Sequence, residues 1–197
     1  MFALQTRENR EQFSAAVESL KEELSKMFSA AEQSNSTLSL FREVNKEEVD
    51  LLSELNPEKL LYYVKHHNTA HHLDAAYHLI LHREGGFIQK KKDRVVVAYF
   101  RLVEMTGCCG VVISTGARTE EKFQRRGIGT ALNKFRIAIA KAIGYTTMIC
   151  TAVDDGVTEK ILTKNGWQKI LSFKNRRTNH PISMYSIMLS VFAEKKA

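Results

Sequence analysis

The chain has 197 residues, 44% hydrophobic and 26% charged, enough for one domain with a full core or one domain plus an arm. No apolar run approaches the roughly 18 residues of a membrane span, and Met1-Phe2-Ala3-Leu4 passes at once into polar residues, so a leader and a membrane span are both unexpected. Three cysteines, Cys108 and Cys109 adjacent, argue against a disulfide framework and for a reducing cytoplasm, and no Cys-x-x-Cys pair suggests zinc.

The net charge of +7 is uneven. Residues 1–50 hold six Lys/Arg and ten Asp/Glu, a net −4, and the remainder holds 23 basic and 12 acidic residues, a net +11. The basic excess sits in Lys90 to Lys92, Lys122 to Arg126 and Lys174 to Arg177. It suits a phosphate-bearing ligand or an acidic acceptor such as nucleic acid, and equally a solvated basic face.

Residues 6–33 are polar, with apolar positions at Phe13, Val17, Leu20, Leu24 and Phe28. Steps of three and four predict an amphipathic helix, an arm over 1–36 that packs on its own domain or on a second copy of the chain. A domain over 37–197 follows. Thr37 to Val44 alternates and reads as a strand; Asn45 caps an expected helix to about Leu55, and Asn56-Pro57-Glu58 starts another. His66, His67, His71, His72, His78 and His82 crowd the next stretch, read as helix through His82. On one helix, His67, His71, Asp74, His78 and His82 would share a face, a spacing that suits a metal. Nothing else supplies a metal motif, so no metal is expected. Gly85-Gly86 ends this run. Phe87 to Lys92 and Arg94 to Glu104 read as strands, Gly107 to Gly110 as a turn, and Val111 to Arg118 as the next strand.

The densest signal is Gln124-Arg125-Arg126-Gly127-Ile128-Gly129-Thr130. Close-set glycines between a strand and a helix lay bare backbone N–H groups where an anion approaches, and the helix dipole favours negative charge there. The helix from about Thr130 to Ile143 is apolar at Leu132, Phe135, Ile139 and Ile143, and Gly144 closes it. Thr146 to Val153 reads as a strand, Asp154-Asp155-Gly156 as a turn, Val157 to Lys164 as a short helix, and Gln168 to Phe173 and Ile182 to Val191 as the last strands.

Strand, polar turn, Gln-x-x-Gly-x-Gly, helix, strand, turn, short helix, Asn165-Gly166-Trp167 and strand resemble the acetyl-CoA-binding region of the GNAT N-acetyltransferase superfamily. The resemblance is firmest over about 87–189 and looser from Thr37, and the ending of the last loop faintly resembles bacteriophage members. It implies a GNAT fold of the α/β (α+β) class: a mixed, mostly antiparallel twisted sheet of six to seven strands flanked by helices. It further implies acetyl transfer from acetyl-CoA to a primary amine. Gln124, Arg125, Arg126, Gly127, Ile128, Gly129 and Thr130 would hold the phosphates, and backbone of about Ala117 to Thr119 the pantetheine. Asp155 stands where the family commonly has Asn and would accept from the pantetheine amide. The histidine-bearing segment would lie near the acceptor cleft. The acceptor would be a small amine, a modified nucleotide or a protein, with the basic loop from Phe173 to Pro181 shaping its site.

The pattern departs from the family at several points. Thr119-Glu120-Glu121 stands for Val-x-Pro, and Ile113 and Thr115 occupy the strand positions that often carry Glu or His. Leu162 replaces the Tyr that often protonates the leaving thiolate. Glu104, at a strand end, and His180, in the last loop, are the substitute candidates for a base, and Tyr185 for an acid. Cys150, mid-strand, reads as buried rather than nucleophilic. The rival expectation is a non-catalytic module of the same fold that binds CoA or a macromolecular partner.

Overall fold

The computed structural model describes residues 7–29, 36–44, 47–50, 75–83, 94–105, 107–108 and 110–189. Helix α1 (Arg7–Ser25) precedes strands β1 (Ser36–Val44), β2 (Glu47–Asp50), β3 (Ala75–Arg83), β4 (Arg94–Glu104) and β5 (Val111–Thr119). A single 3-10 turn (Glu121–Phe123) leads to helix α2 (Ile128–Ile143), β6 (Thr147–Val153), helix α3 (Val157–Lys164), β7 (Gln168–Lys174) and β8 (Pro181–Met188). The strands make one sheet in the order β2-β1-β3-β4-β5-β6-β8-β7. Among the described strands only the β5–β6 pair is parallel, with α2 as its crossover. This is the mixed, mostly antiparallel sheet flanked by helices that the resemblance implies, with eight strands among the described residues.

Two expected helices differ. Residues 47–50, expected inside the helix after Asn45, form β2, which pairs with β1 from Val44↔Glu47 to Phe41↔Asp50. Glu47 and Glu48 suit a helix N-terminus by propensity, but they equally suit an edge strand, where charge blocks further pairing. The stretch 75–83, expected as the end of a histidine-bearing helix, forms β3 between β1 and β4. A step of four recurs in both periodicities, so His78 and His82 could not tell helix from strand. On a strand these two are about 13 Å apart along the chain, too far to share one metal ion. His66, His67, His71, His72 and Asp74 lie outside the described residues, as do the expected helix from Asn56 and strand 87–92. Among the described residues no group of three or more potential ligands could hold a metal ion, and no helix is long and apolar enough to cross a membrane.

The core lies between α2 and the sheet, with α1 laid along α2. Ile128, Leu132, Phe135 and Ile139 of α2 are buried with Val97, Phe100 and Leu102 of β4, Val112 of β5 and Met148 of β6. Phe100 and Phe135 meet edge to face, centroids 6.3 Å apart. The stripe predicted on the N-terminal helix (Phe13, Val17, Leu20, Leu24, and Phe28 just beyond it) is buried in this same core. Lys134 of α2 and Glu23 of α1 bridge the two helices at 2.9 Å.

Candidate functional site

The site begins where two parallel strands stop pairing. β5 and β6 are in register from Val111↔Thr147 to Ser114↔Cys150, and no further. Beyond Ser114, β5 continues only against β4, and beyond Cys150, β6 continues only against β8. The cause lies in β5. Its register against β4 shifts between Tyr99 and Arg101, where Arg118 and Thr115 are the partners, so β5 carries one extra residue there. Gly116 takes φ 61° in this bulge, and an added Cβ would come within 3.2 Å of the Tyr99 ring. A bulge bends its strand and re-aims the residues beyond it. A lone glycine in a strand pattern signals such a bulge, and sequence reasoning did not use Gly116 in that way.

β5 delivers the chain to the glycine turn at the mouth of this opening. The Gln124 side-chain amide donates to the Thr119 carbonyl at 3.1 Å and ties the turn to the strand end. Arg125 takes φ 63° and Gly127 φ 92°, both left-handed. A left-handed residue followed by helical ones turns successive N–H groups toward one point, an anion-binding concavity. A left-handed arginine costs about 1–2 kcal/mol, which is more often tolerated at functional sites than elsewhere. The helix starts at Ile128, two residues earlier than the sequence suggests, with Gly127 as its N-cap. The Gly127 carbonyl accepts from Thr130 and Ala131. The N–H groups of Gly127, Ile128 and Gly129 donate to no acceptor among the described residues.

A cleft of about 560 Å³ opens at this turn. Of the predicted ligand-holding residues, Ala117, Thr119, Gln124, Arg125, Gly127, Ile128, Gly129 and Thr130 all line it. Arg126 does not: its guanidinium stacks over Phe123 at 5.3 Å and Phe28 at 5.8 Å, so its charge lies behind the turn. Asp155 is not on the cleft wall either. It takes φ 61° just after β6, and its N–H donates to the Glu159 carboxylate at 2.5 Å. The substitute bases are also elsewhere. Glu104 pairs with Val112, roughly 23 Å along β5 from Thr119, at the opposite end of the sheet. His180 is exposed in the loop between β7 and β8, its carbonyl accepting from Asn175. Sequence reasoning missed Asn133 and Arg136, which form part of the cleft wall one helix face below the turn. Both are polar positions inside an apolar helical period, and that irregularity was the available signal.

A second polar cluster occupies the far side of α3. Tyr185, buried on β8, donates its hydroxyl proton to Glu159. Burial, then the hydrogen bond to Glu159, pushes the Tyr185 phenol well above its ordinary range, so it holds its proton through neutral pH. Glu159 is held below the ordinary carboxylate range by the Tyr185 hydrogen bond first and the Asp155 N–H second. Ser183 donates to Asp154 at 2.5 Å, and Lys169 stands 3.4 Å from the same carboxylate. Leu162 is fully buried in the core and offers no proton to the cleft.

Cys150 is buried on β6, and burial raises its thiol to about 11, against the partial pull of Arg136. Only about 0.1% of such a thiol is ionised at pH 8. Iodoacetamide at pH 8 is therefore expected to label the partly exposed Cys108 about 100-fold faster than Cys150, read by peptide mass spectrometry. Equal labelling would place a reactive thiolate at Cys150 and reopen a nucleophilic role.

The chain matches no protein-family model and no curated protein. Comparison with solved structures does find relatives in fold. The chain resembles solved GNAT-family acetyltransferases. One, assigned to that family, is from Desulfovibrio desulfuricans: 12% identity, 68% of this chain and 79% of that one covered, TM-score 0.48. The ribosomal-protein-S18-alanine N-acetyltransferase of Escherichia coli is 11% identical over 72% of this chain and 82% of its own, TM-score 0.48. The Salmonella typhimurium protein yncA, assigned as an acetyltransferase and solved with acetyl-CoA, is 13% identical over 78% and 82%, TM-score 0.49.

Proposed function

We propose that the chain transfers an acetyl group from acetyl-CoA to a primary amine. The observation that carries this reading is the geometry of one cleft: a parallel strand pair that opens after Ser114, with a turn of undonated N–H groups at the mouth. The turn suits a pyrophosphate, since convergent backbone donors and a helix dipole meet Arg125 there. Among the described residues the edge of β5 from Thr115 to Thr119 has no strand on its β6 side, so a pantetheine arm can hydrogen-bond along it. A backbone N–H on that edge would polarise the thioester carbonyl, and positioning would supply most of the rate enhancement.

The second reading, a binding module of the same fold, is favoured by Leu162 and by the positions of Glu104 and His180. None of them brings an acid or base to the cleft. In the enzyme reading the amine must arrive neutral or lose its proton to water. The basic residues Lys122, Arg125 and Lys174 to Arg177 favour an acidic macromolecule or a modified nucleotide over a cationic drug as acceptor.

Calorimetric titration of acetyl-CoA, followed by a thiol-release assay on a panel of primary amines, separates the readings. One-to-one binding with amine-dependent release of CoA is the expected result. Binding without release on any amine would favour a CoA-binding module, and no binding would overturn the enzyme and leave a module that binds a macromolecular partner.

A further inference from the structure

Arg136 is a cation held inside the protein. It is 4% exposed and Asn133, one turn earlier on α2, is 2% exposed, yet both line the cleft. A guanidinium carries five N–H donors. Three are used, all on neutral acceptors: Nε and Nη2 donate to Asn133 Oδ1 at 2.9 and 2.5 Å, and Nη1 donates to Ser114 Oγ at 2.9 Å. Its flat face lies 5.3 Å from the Trp167 ring. No carboxylate among the described residues pairs with it, and the nearby Cys150 thiol is itself held protonated by burial. An unpaired buried charge costs several kcal/mol and persists where something offsets it.

A second group points the same way. Asn133 must turn Oδ1 toward Arg136, because a guanidinium can only donate. Its Nδ2 is then presented elsewhere, and it has no hydrogen-bond partner although it is buried. The floor of the cleft thus offers spare guanidinium N–H groups and an amide NH2, all donors. A floor made of donors around a positive charge complements a carboxylate, which has only acceptors. Arg136 lies eight residues after Ile128 on the same helix, about 12 Å along its axis from the glycine turn. A pantetheine arm anchored at the turn would reach that depth with its acyl end.

We propose that Arg136 and Asn133 bind a carboxylate at the floor of the cleft, carried either by the acyl chain of a dicarboxylic acyl-CoA or by an amino-acid acceptor. The inference rests on the reading that an acyl-CoA occupies the cleft. It adds a specificity to that reading, since a bare acetyl group leaves the guanidinium without a counter-charge.

The test has two arms on the full chain. In the first, CoA, acetyl-CoA, malonyl-CoA and succinyl-CoA are titrated calorimetrically. In the second, thiol release from acetyl-CoA is compared for alanine and for ethylamine, which lacks the carboxylate. The expected result is a preference of about ten-fold for the carboxylated compound in one arm, which identifies the source. Arg136→Met should reduce that preference to within about two-fold, read as the ratio of carboxylated to uncarboxylated compound so that any general change in CoA affinity cancels. If Arg136→Met does not fold, Arg136→Lys keeps the charge without the fork and should give an intermediate preference. CoA binding with no carboxylate preference in either arm overturns this inference alone. Absence of CoA binding to wild type overturns the cleft reading first and this one with it. A preference that survives in Arg136→Met places its origin elsewhere and also overturns the proposal.

Discussion

Gly129→Glu is expected to weaken acetyl-CoA binding at least about 100-fold while leaving the fold as stable as wild type or more so. The two effects have separate causes. Gly129 is the second residue of α2, and a Cβ there would meet Ile161 Cδ1 and Thr119 Oγ1 at 3.6 Å, ordinary contact distances. Replacing a helical glycine gains up to about 1 kcal/mol of propensity, and a carboxylate in the first turn gains about 0.3–1 kcal/mol from the dipole. Against this, the new side chain enters the cleft between β5 and α3 and sets a negative charge among the donors proposed for a pyrophosphate. Gly127→Ala is a poorer probe. Its φ of 92° makes any side chain cost about 1–2 kcal/mol, and its Cβ would stand 3.3 Å from Met27 Cε. Thermal unfolding and calorimetry on the same Gly129→Glu sample separate stability from binding. Wild-type affinity in that variant would mean that the phosphates do not sit at the turn.

Much of this site was legible because glycines punctuate it. From Val111 to Met188 the expected elements fall within about three residues of the observed ones, and Gly110, Gly144, Gly156 and Gly166 each stand at a boundary. The six-residue turn could be read from chemistry, since bare backbone at a helix start has few other uses. What could not be read is where local propensity and periodicity are ambiguous. Glu47-Glu48 and the His78, His82 pair satisfy both a helix and a strand, and only pairing with β1 decides between them. The opening of the sheet depends on a bulge at Gly116, a relation between strands that no single strand displays. Arg136 was passed over because its neighbours Phe135 and Ile139 made the helix face read as core, and a buried cation interrupts that pattern without a motif of its own.

These points also explain why proton transfer is the least legible part. The residues that could carry it stand out in the sequence only by type: Glu104 at a strand end, His180 in a loop and Tyr185 within a strand. Chain position does not say which end of a strand meets the cleft. Once β5 is placed antiparallel to β4, Glu104 falls at the end opposite Thr119. Tyr185 reaches a carboxylate, but across α3 from the cleft wall formed by Val157, Thr158 and Ile161.

Phe28→Ala is expected to cost both stability, about 3 kcal/mol, and acetyl-CoA affinity, about ten-fold, whereas Phe13→Ala is expected to cost stability alone. Both phenylalanines are 6% exposed and belong to the same core, so truncation removes a similar buried ring at either place. They differ in what lies beyond them. Phe28 packs on Phe123 with centroids 6.1 Å apart, and the Arg126 guanidinium lies over both rings. Met27 stands directly behind Gly127. The end of the N-terminal segment therefore forms the back wall of the glycine turn, and removing Phe28 lets Arg126 and the left-handed backbone at Arg125 relax. Phe13, near the start of α1, has no such neighbour among the contacts of the turn. Urea unfolding gives the stability term, and calorimetry well below the melting range gives the affinity term. An equal loss of affinity in both variants would reduce the effect to general loosening of the domain. Unchanged affinity in Phe28→Ala would show that the turn holds its shape without the Phe28 ring behind it.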